Sequence, residues 1–460
     1  MHIRRILAVL AALALFLTAC GGGDTADTTD TAEAPEATEA PEGADAPEPA
    51  DSPDAAAVTD AAEESEPAEP AGGGVEGELT VWIMEPGNEE VQAVVDDTAA
   101  AFEEENDGVT VDLQYVPWGN AHDQFVTAIG GGQVPDVAEM GTTWTAEFAE
   151  LGGLAPIEGE MGGDYVESLV DSGTVDGTAY GYPWYAGARS LIYRTDILEE
   201  AGVEVPETWD DLLSASETIA GSTDIAPIQV AGDYTHMLVP LLWQAGGDVA
   251  TFEDGTWETN IDSEEGRAAL QYYVDLAEWS PDSAVQWNSV DIRENFANGD
   301  AAMMVGGGWD LAAILSNSPD LEGKVGVALL PEGPGGNQDT FAGGSHFVTF
   351  AESDQQELAT QFIDFMLQSD NVATFADTLG FLPGTVSGVE ASSASEDELF
   401  SPFATQLVEH SRTYPATAGW GAVEGDKTFV NGIQEVLQGS TTVDEAAAKI
   451  DQQVSELLNS

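Results

Sequence analysis

A chain of 460 residues carrying 85 acidic against 10 basic side chains has a formal net charge of -75, a surface that repels phosphate backbones and anionic headgroups and so argues against nucleic-acid binding and a polybasic membrane patch. At 43% hydrophobic it can bury sizeable cores, and its length leaves room for two domains with an appendage. The single cysteine, Cys20, excludes an intramolecular disulfide and a thiolate metal cluster; His2, His122, His236, His346 and His410 stand at no HxxxH or HExxH spacing, no P-loop or dinucleotide glycine motif occurs, and so no metal or other cofactor is expected.

Residues 1–19 read as a lipoprotein signal peptide. His2, Arg4 and Arg5 make a short basic start, and the apolar run 6–17 is too short for a bilayer span of about 20 residues. Leu17-Thr18-Ala19-Cys20-Gly21 resembles a bacterial lipobox, in which the cysteine is lipidated and becomes the new N-terminus. Lipidation at Cys20 predicts an extracytoplasmic protein anchored to the cell membrane. Residues 21–75 then hold 16 acids and 7 prolines, with no aromatic, Lys or Arg. With no apolar side chain larger than Val, such a segment cannot offset its ordering entropy, so 20–75 is expected to be a disordered acidic Pro/Ala-rich tether. It would reach at most about 180 Å. Residues 76–460 still hold 69 acids against 8 bases, so the folded part is itself acidic, as a saline or alkaline habitat with abundant counterions would allow.

Past residue 76 strands alternate with helices. Residues 79–84 (LTVWIM) form a short apolar strand, and Val91, Val94, Val95, Ala99 and Phe102 share one helical face. Val109, Val111, Leu113 and Tyr115 alternate with polar residues, the mark of a half-buried strand. A helix ending at Gly130-Gly131-Gly132 precedes a third strand that begins at Pro135-Asp136-Val137. This order predicts an α/β fold of parallel βαβ units, which bind ligands beyond the carboxyl ends of their strands. Two late helices present Leu358, Phe362, Phe365 and Met366, then Val443, Ala446, Ala447, Ile450, Val454, Leu457 and Leu458.

Several segments taken together resemble the extracellular solute-binding proteins of carbohydrate ABC transporters, of the maltose-binding-protein type. They are Gly77-Glu78-Leu79-Thr80-Val81-Trp82, Gly131-Gly132-Gln133-Val134-Pro135-Asp136-Val137, and Tyr180-Gly181-Tyr182-Pro183 followed by Leu191-Ile192-Tyr193-Arg194-Thr195-Asp196 and Pro206-Glu207-Thr208-Trp209-Asp210-Asp211-Leu212. Arg194 stands where the family signature favours Asn. Further on come Phe296-Ala297-Asn298-Gly299-Asp300, Gly307-Gly308-Trp309, Gly343-Gly344-Ser345, Gly380-Phe381-Leu382-Pro383 and Trp420. The resemblance implies a two-lobe, type II periplasmic-binding-protein-like fold with a hinge and an interdomain ligand cleft. Lobe 1 is expected from about 78–184 with 345–382, and lobe 2 from about 185–344 with 383–460. It also implies a monomer that binds sugar without chemistry and delivers it to permease subunits of an ABC importer.

A sugar presents hydroxyls and flat C–H patches, so its site needs aromatic faces and polar groups that pair with hydroxyls. The resemblance places stacking aromatics at Trp309 and Trp420 and a pocket position near His236. Residues that follow predicted strands or the crossovers add Glu85, Asn88, Trp118, Asn120, Thr143, Trp144, Trp184, Tyr185 and Ser345. Trp82 and Trp209 read as packing residues, and Arg189 as the partner of a core acid. The number of tryptophan candidates points to a di- or oligosaccharide. Two alternatives remain: the same fold carrying a non-sugar solute such as a polyamine, and a secreted glycoside hydrolase, which needs two carboxyls about 5–10 Å apart.

Overall fold

The computed structural model describes residues 77–460, except Gly87, Asn88 and Glu160. The expected signal peptide, the lipidation site Cys20 and the tether lie outside the described residues, as does Asn88.

Ten strands make two sheets: β1 (Gly77–Met84), β2 (Val109–Val116), β3 (Val137–Gly141), β4 (Tyr182–Gly187), β5 (Arg189–Arg194), β6 (Ala226–Ile228), β7 (Ala301–Gly307), β8 (Val325–Ala328), β9 (Gly343–Thr349) and β10 (Leu382–Pro383). The first sheet runs β10-β4-β9-β3-β1-β2 and the second β8-β5-β7-β6. β1 lies parallel to both β2 and β3, as the sequence predicts. β9 lies antiparallel to both its neighbours, β3 and β4, because the chain leaves for the second sheet after β4 and re-enters through β9 in the opposite sense. The chain passes from the first sheet to the second at Ala188, between β4 and β5, and has returned to the first sheet by β9.

Local sequence explains the elements that hold the first lobe together. β2 is an edge strand; Thr110, Asp112 and Gln114 are exposed, and Val111, Leu113 and Tyr115 turn partly inward. The helix Glu89–Glu105 buries Val91, Val95, Ala99 and Phe102 beside Leu79, Val81 and Ile83 of β1. Each such large side chain contributes about 1.5–3 kcal/mol over its exposed state. Phe102 meets Phe362 edge-on at 5.3 Å, which ties this helix to Gln356–Met366. The helix Trp118–Gly131 ends on Gly132 at φ 62, a left-handed cap that glycine adopts without penalty.

In the second lobe Thr208 caps Trp209–Ser222 through a reciprocal pair with Asp211. Trp209 is a packing residue: it lies flat on Tyr272 at 4.0 Å, and its indole N–H donates to Gln244 Oε1 at 2.8 Å. The lobes meet beside the cleft, where the Glu150 carboxylate of the first accepts from Thr417 Oγ1 (3.1 Å) and the Ala418 backbone N–H (2.7 Å) of the second. Among the described residues no helix is long and apolar enough to cross a membrane.

Candidate ligand-binding cleft

The parallel strands β1, β2 and β3 finish at one edge of the first sheet, so the residues that follow them converge there. Glu85 follows β1, Trp118 begins the helix after β2, and Thr142, Thr143 and Trp144 follow β3. Together with Tyr185, Ser345 and Phe381 they form one wall of a cavity of ≈ 510 Å³; Arg189, His236, Trp309, Phe341 and Glu424 form the other. The size and mixed lining are those of a small-molecule site. Trp118 and Trp144 approach at 5.6 Å, tilted by 57°. Trp309 lies almost parallel to Phe381 at 4.9 Å. Gly187 and Gly307 leave the room that its indole needs, since a Cβ at either position would run into the ring. A smaller recess of ≈ 200 Å³, with a mixed polar and apolar lining, shares His236 and Glu424 with this cavity.

Glu139 lies in the fully buried strand β3 and is 1% exposed, yet it edges the cavity. Its Oε1 accepts from Tyr185 Oη (2.6 Å) and Ser345 Oγ (2.7 Å), and its Oε2 from the Met84 N–H (2.8 Å). Burial pushes its pKa up from 4.5 to about 7, against the opposing pull of these three donors. Glu424 is also raised to about 7, chiefly by burial. His236 is driven down to about 3 by burial and the nearby Arg189 charge, so it is neutral; its Nδ1 meets Tyr414 Oη at 2.6 Å.

An acid whose folded pKa lies above its unfolded value binds its proton more tightly in the folded state. Stability therefore falls as pH climbs from about 4.5 to about 7, and the penalty is complete above that window. Glu139→Gln is expected to flatten this fall, leaving the share due to Glu424. Melting temperatures of the chain and the variant at about pH 5 and about pH 8 check it; an unchanged difference between the two would rule Glu139 out as a source.

The sequence profile of the bacterial extracellular solute-binding proteins matches residues 84–373. The chain belongs to this family. It is 29% identical over 393 residues to the diacetylchitobiose binding protein DasA of Streptomyces coelicolor, covering 81% of this chain and 88% of that protein. Among solved structures, MalE from Xanthomonas citri, a sugar-binding protein, is 30% identical with a TM-score of 0.74, over 83% of this chain and 97% of that one. The GacH receptor of Streptomyces glaucescens, solved unliganded and with acarbose, is 28% identical with a TM-score of 0.71, over 84% and 99%. The fold is thus the two-lobe, type II architecture of the MalE-like proteins, and the family consists of binding proteins.

In this solute-binding protein eight of the sequence candidates line the cleft: Glu85, Trp118, Thr143, Trp144, Tyr185, His236, Trp309 and Ser345. Three lie elsewhere. Asn120 is exposed on its helix. Trp184, 1% exposed, is stacked between Phe347 (4.3 Å) and Phe375 (4.2 Å) in the first-lobe core. Trp420, equally buried, lies on Tyr414 at 4.4 Å in the second-lobe core and borders only the smaller recess. Tyr185 and Ser345 reach the cleft but spend their hydroxyl protons on Glu139. Sequence reasoning missed Glu139, Arg189, Phe341, Phe381 and Glu424. Glu139 did carry a signal, an acid inside the otherwise uncharged Val137-Ala138-Glu139-Met140-Gly141.

Proposed function

We propose that this protein is the lipid-anchored receptor of an ABC importer, that it captures a di- or oligosaccharide between its lobes, and that it hands the sugar unchanged to permease subunits. The observation that carries the reading is the set of aromatic faces, Trp118, Trp144 and Trp309, on both walls of one cleft at the carboxyl edge of a parallel sheet. Rings of this kind cover the C–H faces of sugars at low entropic cost, while Glu85, Thr143 and His236 stand beside them to pair with hydroxyls. The recess beyond His236 and Glu424 gives a second sugar unit somewhere to go. DasA and MalE, named for sugars, support the same cargo here. The lobes would close on the sugar by a hinge at the crossings near Ala188 and Ala342, in a monomer held to the cell membrane through Cys20 and the 20–75 tether.

Calorimetric titration of the full chain in detergent with mono-, di- and oligosaccharides, and with polyamines as controls, tests this. Saturable binding of a sugar that is recovered intact is the expected result. A response to polyamines alone would keep the fold and reject the sugar, and new reducing ends would reject the receptor role.

A further inference from the structure

Arg189 opens β5 directly after the crossing from the first sheet; it is 8% exposed and stands on the wall of the cleft. The sequence pattern pairs it with a core acid, yet no carboxylate among the described residues lies within ion-pair distance of it. Its Nε–H donates to Tyr234 Oη at 3.0 Å, and Tyr234 in turn donates to the Val305 carbonyl at 3.2 Å. The guanidinium is flanked by the rings of Trp309 (5.2 Å) and Tyr234 (5.6 Å). These contacts fix the plane of the group and leave both Nη atoms with no protein acceptor among the described residues.

The neighbouring acid is already committed. Asp310 accepts from the Gly307 N–H at 3.0 Å and pairs with Arg293 at 3.4 Å. Arg189 acts on Asp310 only through its charge, not through an ion pair, so its guanidinium stands without a bonded carboxylate on a cleft that also carries Glu85, Glu139 and Glu424. A largely buried cation without a counter-ion is costly, and the cost is recovered when a ligand supplies the anion. A guanidinium has five donors and no acceptor, in a fork that matches a carboxylate. A sugar hydroxyl could accept here too, but a carboxylate takes both prongs of the fork at once and needs no acceptor in return.

We propose that the sugar bound here carries a carboxylate, as a uronic acid does, and that this group seats on the Nη edge of Arg189, beside Trp309. This rests on the sugar-receptor reading above and narrows it. The protein's overall charge opposes an approaching anion, but that field is screened within about 8 Å at physiological salt, whereas the contact with Arg189 is local.

The test is calorimetry on the full chain in detergent, titrated with neutral disaccharides such as cellobiose and diacetylchitobiose and with uronate disaccharides such as digalacturonate, for the wild type, Arg189→Gln and Arg189→Lys. Expected are saturable uronate binding, a loss of about 10- to 100-fold in Arg189→Gln, and a smaller loss in Arg189→Lys, which keeps the charge without the fork. If Arg189→Gln melts early, Arg189→Lys carries the comparison. Neutral sugars that bind more tightly than uronates, or that lose as much as uronates do in Arg189→Gln, would overturn the carboxylate while leaving the sugar receptor standing. Silence to every sugar would overturn both.

Discussion

Alanine in place of Trp309 is expected to weaken sugar binding by about 2–4 kcal/mol, roughly a 30- to 1000-fold rise in Kd. The indole is half-buried at the start of the helix Gly308–Asn317, with one side against Phe381 and with Arg189 above the ring. It joins residues of both lobes: Phe381 and Gly187 belong with the first sheet, and Gly307 and Arg189 with the second. Removing it takes away aromatic surface from the cleft wall and also the platform that helps hold Arg189. Large aromatics in this situation dominate binding energy because they bury much area while fixing few torsions. Calorimetry with the sugar found for the wild type checks the prediction. A loss below about 0.5 kcal/mol would place Trp309 outside the site, whatever its position on the cleft wall.

The parts of this molecule that were legible in its sequence are those set by local periodicity. The alternation from Val109 to Tyr115, the helical face of Val91, Val95, Ala99 and Phe102, and the glycine stop at Gly132 each report a contact made within one element or with its chain neighbour. The convergence of Glu85, Trp118 and Trp144 followed from the parallel order of three strands, which is also local. What could not be read depended on partners far along the chain. Arg189 was expected to find an acid; in the fold Asp310, which stands closest to that role, is taken by Arg293 and the Gly307 amide. Trp420 falls at the predicted place in the order, but Tyr414 and Phe429 close over it. Glu424 shows no pattern at all in sequence, and it acquires its raised pKa only when the helix Ala418–Gly425 docks beside Thr145–Glu150.

Trp184 is the opposite case to Trp309, and its alanine variant is expected to lose about 3–5 kcal/mol of folding stability. Both tryptophans sit near a crossing, and residue type alone does not separate them. The difference is a β-bulge. Ser345 of β9 pairs with Tyr185 and His346 with Pro183, so Trp184 is the extra residue in β4, and its carbonyl is taken instead by the Gly384 N–H at 3.0 Å. The indole enters the slot between Phe347 and Phe375, inclined by 28° and 23° to those rings, where water does not reach. Alanine there leaves a cavity that β9 and the helix Ser369–Leu379 cannot both collapse to fill, because β9 is held on each side by β3 and β4. Urea unfolding followed by circular dichroism measures the loss, and a change under about 1 kcal/mol would mean the slot closes after all. The two variants also test each other. Trp309→Ala should weaken binding while the melt moves little, and Trp184→Ala should lower the melt; the reverse pattern would exchange the roles assigned to the two rings.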